Sequence, residues 1–190
     1  MPTHKHLALI WMALLASPPA IAAVTGPGSP NLGVLIRPAD VARWDIEILA
    51  DGTGLPPGEG TAAEGAPIFA EKCSACHGDD GRGTALARSG APAPPTLISG
   101  QKLKGMDESR ATIANYWPYA PPLFDYIRRA MPWTEPRSLS DHEVYALTAY
   151  ILAESKVIDA RQVIDARTLP KVMMPNRNGF LPRFPELMPH

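Results

Sequence analysis

The amino-acid sequence predicts an all-α fold in which a few helices lie between long irregular arms. Helical periodicity is found mainly in segments in the middle of the chain. Proline and glycine are frequent, with 22 and 15 copies in 190 residues, so we expect much of the remaining chain to form loops and extended segments. Because the helical core is small for this length, we expect it to pack around a large apolar group.

The first predicted helix leads into residue 73. Gly65, Phe69 and Cys73 recur every four residues, so they share one face of a helix. A glycine on such a face allows another helix to approach closely. We therefore expect the last helix of the domain to cross the first one at Gly65.

Two further helices are predicted by their boundaries. An amphipathic segment over 123–130 follows Pro121 and Pro122 and ends before Pro132, as expected for a helix that begins with proline and is stopped by another. The last helix begins at Ser140, which forms a capping-box pattern with Glu143, and its apolar positions continue to residue 152.

The motif with the clearest chemistry is Cys-x-x-Cys-His at residues 73–77. Cys73 and Cys76 are the two cysteines of the chain, and His77 follows them directly. Two thiols three positions apart on one helical turn can add to the two vinyl groups of one haem, and the next histidine can bind its iron. The other histidines lack zinc-finger spacing, and the βαβ context of a redox dithiol is missing. The motif predicts one covalent haem c.

The sixth ligand of the iron is left open by the sequence. Met131 lies in a Met-Pro pair just before the last helix, where a thioether could complete the coordination. Met174 is a rival, because Met174 and Pro175 form a second Met-Pro pair in the C-terminal tail. A different ligand or an open position is the remaining alternative.

The N-terminus has the three parts of a secretory signal peptide. Basic Lys5 precedes an apolar run over residues 7–15, and Ala20 to Ala22 supply an A-x-A cleavage site. Pro18 and Pro19 interrupt the apolar segment, which argues against a retained anchor. We therefore expect cleavage after residue 22, a periplasmic location and no membrane span in the mature chain.

Composition and turn residues divide the rest of the chain. We expect an N-terminal wrapping arm over 23–61, a haem domain over 62–155 and a C-terminal arm over 156–190. Within the first arm, Val41, Trp44 and Ile48 are predicted to share one face of a short helix over 38–48. The chain has 19 acidic and 18 basic residues and no basic stripe, so nucleic acid is not an expected partner.

Several runs of the chain resemble one protein family. They are NYWPY at 115–119, LFDYIRRAMP at 123–132, the helix at 139–152, the tail MPNRNGF at 174–180, and WDI and DGTGLPPG in the first arm. These runs resemble the monohaem cytochrome subunit of bacterial sulfite dehydrogenases and the haem domain of the sulfur dehydrogenase cytochrome subunit, which are class I cytochromes c. The longer members of that family carry a second Cys-x-x-Cys-His, whereas this sequence contains one.

The resemblance implies a function and partners. It implies an electron-transfer subunit, not itself a catalyst, that accepts electrons from a molybdenum-cofactor subunit oxidising sulfite or bound sulfur. A downstream cytochrome or oxidase would then receive them. Three alternatives stay open. They are the cytochrome subunit of a quinoprotein alcohol dehydrogenase, a haem protein with an open iron position that binds gases or acts as an enzyme, and a non-redox interaction module in which haem is only structural.

Aromatic and basic residues near the predicted haem have two interpretations each. Tyr116, Trp117 and Tyr119 could pack around the cofactor or form a docking patch. Arg128 and Arg129 could pair with a haem propionate or with an acidic partner. Adjacent residues of a helix point in different directions, so we expect at most one of these arginines to reach the haem.

Overall fold

The computed structural model describes residues 34–83, 94, 96–99, 103, 105 and 111–181. The predicted signal peptide and the first part of the N-terminal arm lie outside these residues. The helices are α1 (Pro38–Val41), α2 (Ala62–Lys72), α3 (Ser74–His77), α4 (Ile113–Tyr116), α5 (Pro121–Ala130), α6 (Asp141–Glu154) and a 3-10 helix (Leu169–Lys171). The strands are β1 (Glu59–Gly60) and β2 (Ile164–Asp165).

The chain separates into two compact units, residues 1–41 and 42–190. In the first unit the structure describes residues 34–41. An ion pair of 2.7 Å joins Arg37 Nε, just before α1, to Asp40 Oδ2 within it. The prediction of one helical face over residues 38–48 is wrong, because the helix ends at Val41. Trp44 is 75% exposed, whereas Ile48 is buried in the core of the second unit. A single helical turn is only marginally stable by itself.

The core of the second unit is built on α2 and α6. A Cβ atom added to Gly65 would lie 2.1 Å from the carbonyl oxygen of Ala146, so the two backbones are in direct contact there. On α6 nearly every residue from Val144 to Ala153 is buried. Phe124 of α5 packs against Tyr145 with ring centroids 4.4 Å apart. The predicted crossing of the first and last helices at Gly65 is confirmed.

The predicted helix boundaries are also confirmed. Ser140 Oγ accepts from the Glu143 amide at 3.3 Å, while the Glu143 carboxylate accepts from the Ser140 amide at 2.8 Å, which is a complete capping box. Helix α5 begins at the two prolines and ends at Ala130. A second capping box joins Thr61 and Glu64 at the start of α2. The pattern Thr-x-x-Glu was present in the sequence and could have predicted it.

The segments on either side of the helices pack onto α6. The Tyr145 hydroxyl donates to the carbonyl oxygen of Pro56 at 2.8 Å, and β1 pairs antiparallel with β2. Farther along the C-terminal segment Leu169 and Val172 are buried. Both segments therefore contribute to the same core as the helices. The all-α fold is confirmed. The sheet found in the described residues consists of β1 and β2, each two residues long.

The run VIDAR occurs twice in the C-terminal segment, at 157–161 and at 163–167, and both copies form the same turn. The Asp159 carboxylate accepts from the Arg161 amide at 2.8 Å, and the Asp165 carboxylate accepts from the Arg167 amide at 2.8 Å. Only the second copy pairs with β1. Among the described residues, no helix has the length and apolar character needed to cross a membrane.

Candidate haem site

The Cys-x-x-Cys-His motif forms the junction between two helices. Cys73 ends α2 through its amide, which donates to the Phe69 carbonyl at 2.9 Å. The carbonyl of Cys73 then accepts from the amides of Cys76 at 3.1 Å and His77 at 2.9 Å, which starts α3. One turn of helix therefore holds two thiols and an imidazole on rigid backbone.

The donor set fits a covalently attached haem. Cys73 and Cys76 are both free thiols, the first partly buried and the second exposed. Burial, reinforced by the neighbouring Cys76 thiol, raises the pKa of Cys73 to about 11, so the unattached thiol is protonated at neutral pH. After attachment both sulfurs are thioethers and no longer titrate. In the part of the chain that the structure describes, no group of three or more His, Cys, Asp and Glu residues could hold a metal ion.

His77 is held on the buried side of this turn, with 9% of its surface exposed. Its carbonyl oxygen accepts from the Gly83 amide at 2.9 Å. Gly78 has a φ of +83°, and a Cβ there would lie 2.4 Å from the Gly83 carbonyl oxygen, so the turn after the histidine requires glycine. The Gly81 carbonyl accepts from the amides of Leu97 and Ile98. The backbone that carries the imidazole is therefore anchored on both sides.

The two candidate thioether ligands lie in different environments. Met131 caps α5, where its amide donates to the Ile127 carbonyl at 3.0 Å, and its side chain is partly buried against the core. Met174 is inside the core with 3% of its surface exposed. The assignment of Cys73, Cys76, His77 and Met131 as haem-binding residues stays a prediction.

Both arginines before Met131 are paired with carboxylates of this chain. Arg128 Nε lies 3.1 Å from Asp141 Oδ1 at the start of α6. Arg129 forms an ion pair with the buried Asp125 one turn earlier on α5. The sequence patterns used above predicted neither pair. The i,i+4 spacing of Asp125 and Arg129 could have predicted theirs, whereas the Arg128 pair depends on how α5 meets α6. Whether one of these arginines also reaches a propionate stays a prediction.

The aromatic residues after α4 make contacts that the sequence did not predict. Tyr116, Trp117 and Tyr119 are each half-buried. Trp117 meets Tyr126 edge-on, with centroids 6.1 Å apart, and Tyr116 meets Phe180 edge-on at 5.3 Å. The contact to Phe180 brings the C-terminal tail back to α4. The runs at 115–119 and 174–180 were noted separately in the sequence, but no local pattern linked them.

Comparison with known proteins agrees with the motif and the fold. The family model of cytochrome c matches residues 62–155. A curated thiosulfate dehydrogenase of Stutzerimonas stutzeri (strain A1501) is 31% identical over 108 residues, which are 57% of this chain and 32% of the relative. The chain thus spans about a third of the length of that relative.

A solved structure covers more of the chain. The sulfane dehydrogenase SoxCD from Paracoccus pantotrophus contains a chain that is 32% identical and superposes with a TM-score of 0.69. The match covers 84% of this chain and 75% of that one, so it extends beyond the haem domain into the flanking segments. The haem-attachment motif agrees with the family model and with the solved structure. This chain therefore belongs to the c-type cytochromes of the sulfur dehydrogenase family, with covalently bound haem c and an electron-transfer role.

Proposed function

We propose that this chain is the electron-accepting subunit of a periplasmic dehydrogenase that oxidises sulfite or another reduced sulfur compound. A molybdenum-cofactor subunit carries out the oxidation, and the cytochrome passes single electrons to a downstream cytochrome or oxidase. The observation that carries this proposal is the likeness to the sulfane dehydrogenase SoxCD, which extends over 84% of the chain. Such coverage includes flanking segments that electron transfer in general does not require.

Four residues carry the haem in this proposal. Cys73 and Cys76 would tether the porphyrin through thioethers, and His77 and Met131 would bind the iron. The haem supplies one-electron redox chemistry at its iron when it is bound. Met131 is favoured over Met174 by its position as the C-cap of α5, in the loop that leads to α6. Met174 is enclosed by the core.

The same ligand set supports a carrier without catalysis of its own. With the imidazole of His77 and the thioether of Met131 both bound, the iron would have no position left for a substrate. His77 and Met131 are both backbone-anchored at the ends of helices. We therefore expect the protein to change little in structure when the iron changes its oxidation state.

A second electron source is thiosulfate, which the name of the curated relative favours. The present chain covers only 32% of that protein, so the substrate of the whole relative enters here only as a candidate. Thiosulfate is therefore included in the test as a separate substrate.

The test combines purification and reconstitution. The tagged holoprotein is purified from the native periplasm, and its partner is analysed for molybdenum. Haem reduction is then followed by absorbance with sulfite alone, with the partner alone and with both. We expect reduction only when partner and sulfite are both present. Reduction by thiosulfate without the partner would favour the second source, and reduction by ethanol with a quinoprotein would contradict the proposal.

A further inference from the structure

The loop over residues 131–140 joins α5 to α6 and begins with Met131, the proposed thioether ligand. The middle of this loop, residues 133–138, is exposed. One turn inside it is closed by the Glu135 amide, which donates to the Pro132 carbonyl at 2.9 Å. Most of the loop therefore has local backbone structure with little side-chain packing against the core.

The second half of the loop borders a cavity with a volume of about 230 Å³. Its lining combines the two helix ends, the loop and the N-terminal segment, with Arg128, Asp141, Arg137, Leu139, Ser140 and Ile46. Side chains that border an unfilled space have fewer contacts than those of a close-packed core. Packing therefore holds this part of the loop only weakly.

Both ends of the loop are fixed to their own helix. The Met131 amide donates to the Ile127 carbonyl at 3.0 Å, so residue 131 continues the last turn of α5. Ser140 begins α6 through its capping box with Glu143. These bonds are local, because each spans only three or four residues. They do not fix the end of α5 relative to the start of α6.

An ion pair links the two helices at the base of the loop. Arg128 Nε lies 3.1 Å from Asp141 Oδ1, and the two side chains are 23% and 36% exposed. Arg128 is in the last turn of α5 and Asp141 is the first residue of α6, so each charge has the favourable sign for its helix end. Because the pair is partly buried, salt screens it less than a surface pair. It joins the chain three positions before Met131 to the chain one position after Ser140.

The neighbouring Arg129 makes a different kind of contact. Its ion pair is with Asp125, one turn earlier on α5, and so lies within one helix. A bond within α5 does not restrain α5 relative to α6. Of these two adjacent arginines, Arg128 is the one whose described ion pair spans the loop.

We propose that Arg128 is a positioning residue whose ion pair with Asp141 closes the base of the loop and keeps the Met131 thioether on the haem iron. This inference rests on the proposed function, which makes Met131 the ligand. When the loop opens, the iron–sulfur bond breaks, and an external base can bind the iron in its place without a change of oxidation state. The apparent affinity for that base rises in proportion to the fraction of open molecules. Loss of the ion pair should therefore increase this affinity.

The test measures imidazole binding to the ferric holoprotein through the loss of its long-wavelength methionine band. Arg128→Gln, Asp141→Asn and the double variant form a double-mutant cycle, which isolates the interaction between the two residues. Arg128→Lys keeps the charge as the conservative variant. Chemical denaturation of every variant gives its overall stability.

Two control variants change residues outside the loop. Arg161→Gln removes an ion pair of 3.5 Å with Asp159 in the C-terminal segment. Leu169→Ala removes a fully buried side chain of the 3-10 helix, so it lowers the overall stability without changing either partner of the Arg128–Asp141 pair.

We expect every variant to keep the methionine band without imidazole, because Met131 itself is unchanged. Arg128→Gln and Asp141→Asn should each bind imidazole about fivefold more tightly, the factor for an ion pair at the upper end of the exposed range. The double variant should match the single ones, and Arg128→Lys should stay close to wild type. Both controls should bind imidazole as wild type does, although Leu169→Ala unfolds more easily.

Three results overturn the positioning role and leave Met131 as the ligand. Unchanged imidazole affinity in Arg128→Gln and Asp141→Asn would show that the pair does not hold the loop. Effects that add in the double variant would show that Arg128 acts through another group, such as a haem propionate. Equal tightening in Leu169→Ala would attribute the effect to lower overall stability.

A different result would remove the ligand assignment itself. If wild type lacks the methionine band, or if Met131→Ala keeps it, Met131 is not the ligand. That part of the proposed function then fails, and the positioning role of Arg128 fails with it.

Discussion

Gly65 lies directly against the backbone of Ala146. A Cβ at Gly65 would stand 2.1 Å from the Ala146 carbonyl oxygen, and one at Gly60 would stand 2.3 Å from the Ala146 amide nitrogen. Two glycines, one in β1 and one in α2, thus enclose a single residue of α6. This contact sets the distance between α2, which ends at the haem motif, and α6.

The first prediction is that Gly65→Ala destabilises the protein. In an exposed helix the same change stabilises by about 0.5–1 kcal/mol, but here the added methyl group would overlap the Ala146 carbonyl. Overpacking costs typically about 1–3 kcal/mol, so we expect the free energy of unfolding to fall. Chemical denaturation measures it, with exposed Glu71→Ala on the same helix as the control. An unchanged midpoint for Gly65→Ala would contradict the close contact.

The second prediction concerns haem attachment. The holoprotein should keep its haem through extraction with acidified acetone, because Cys73 and Cys76 each form a thioether. Cys76→Ala should leave one bond, lower the thermal midpoint and reduce the yield of haem-loaded protein. Mass spectrometry of the tryptic haem peptide checks the number of bonds. Free extraction of haem from wild type would contradict covalent attachment.

The third prediction separates the two thioether candidates. Met131→Ala should abolish the weak long-wavelength band that methionine coordination gives to ferric haem. Met174→Ala should keep this band, although it should cost about 2–5 kcal/mol of stability because it removes a buried core side chain. Absorbance and denaturation measured on both variants check this pattern. The reverse spectra would assign the ligand to the tail.

The fourth prediction is a loss of stability in acid that depends on Asp165. Its carboxylate accepts from the Thr168 amide at 2.7 Å, and hydrogen bonds to Thr168, followed by those to Arg167, lower its pKa to about 2. A lowered folded-state pKa gives stability that is present above the unfolded pKa of about 3.9 and is lost as the pH falls towards 2.

The measurement is the free energy of unfolding between pH 5 and about 2, for wild type and Asp165→Asn. We expect the difference between the two proteins to shrink as the pH falls, because the wild-type carboxylate becomes protonated in both states. Thr168→Val removes the hydroxyl whose hydrogen bond helps to lower the pKa of Asp165, so it should give an intermediate pH dependence. If the difference in the free energy of unfolding between wild type and Asp165→Asn stayed constant with pH, the Asp165 carboxylate would not be the cause of the lost stability.

The parts of this protein that the sequence determined by itself are local. Attachment chemistry depends on three residues within five positions, and the capping box of Ser140 and Glu143 spans four. Helix α5 begins at Pro121 and ends at Ala130, two residues before Pro132. Such features follow from the i+3 and i+4 geometry of one helical turn, so the sequence pattern is sufficient to predict them. Even the crossing at Gly65 was predictable. Glycine destabilises the middle of a helix, so its presence on an apolar face indicates a close contact with another backbone.

Only the tertiary structure decided how distant segments meet. Trp44 and Ile48 look alike as apolar residues of the same arm, yet one is 75% exposed and the other 4%. The bond between Asn176 and Tyr116 joins residues 60 positions apart. Periodicity identifies which face of a segment is buried, but it does not identify the partner of that face. The partner depends on packing and on the entropy of closing long loops, which no local run of residues contains.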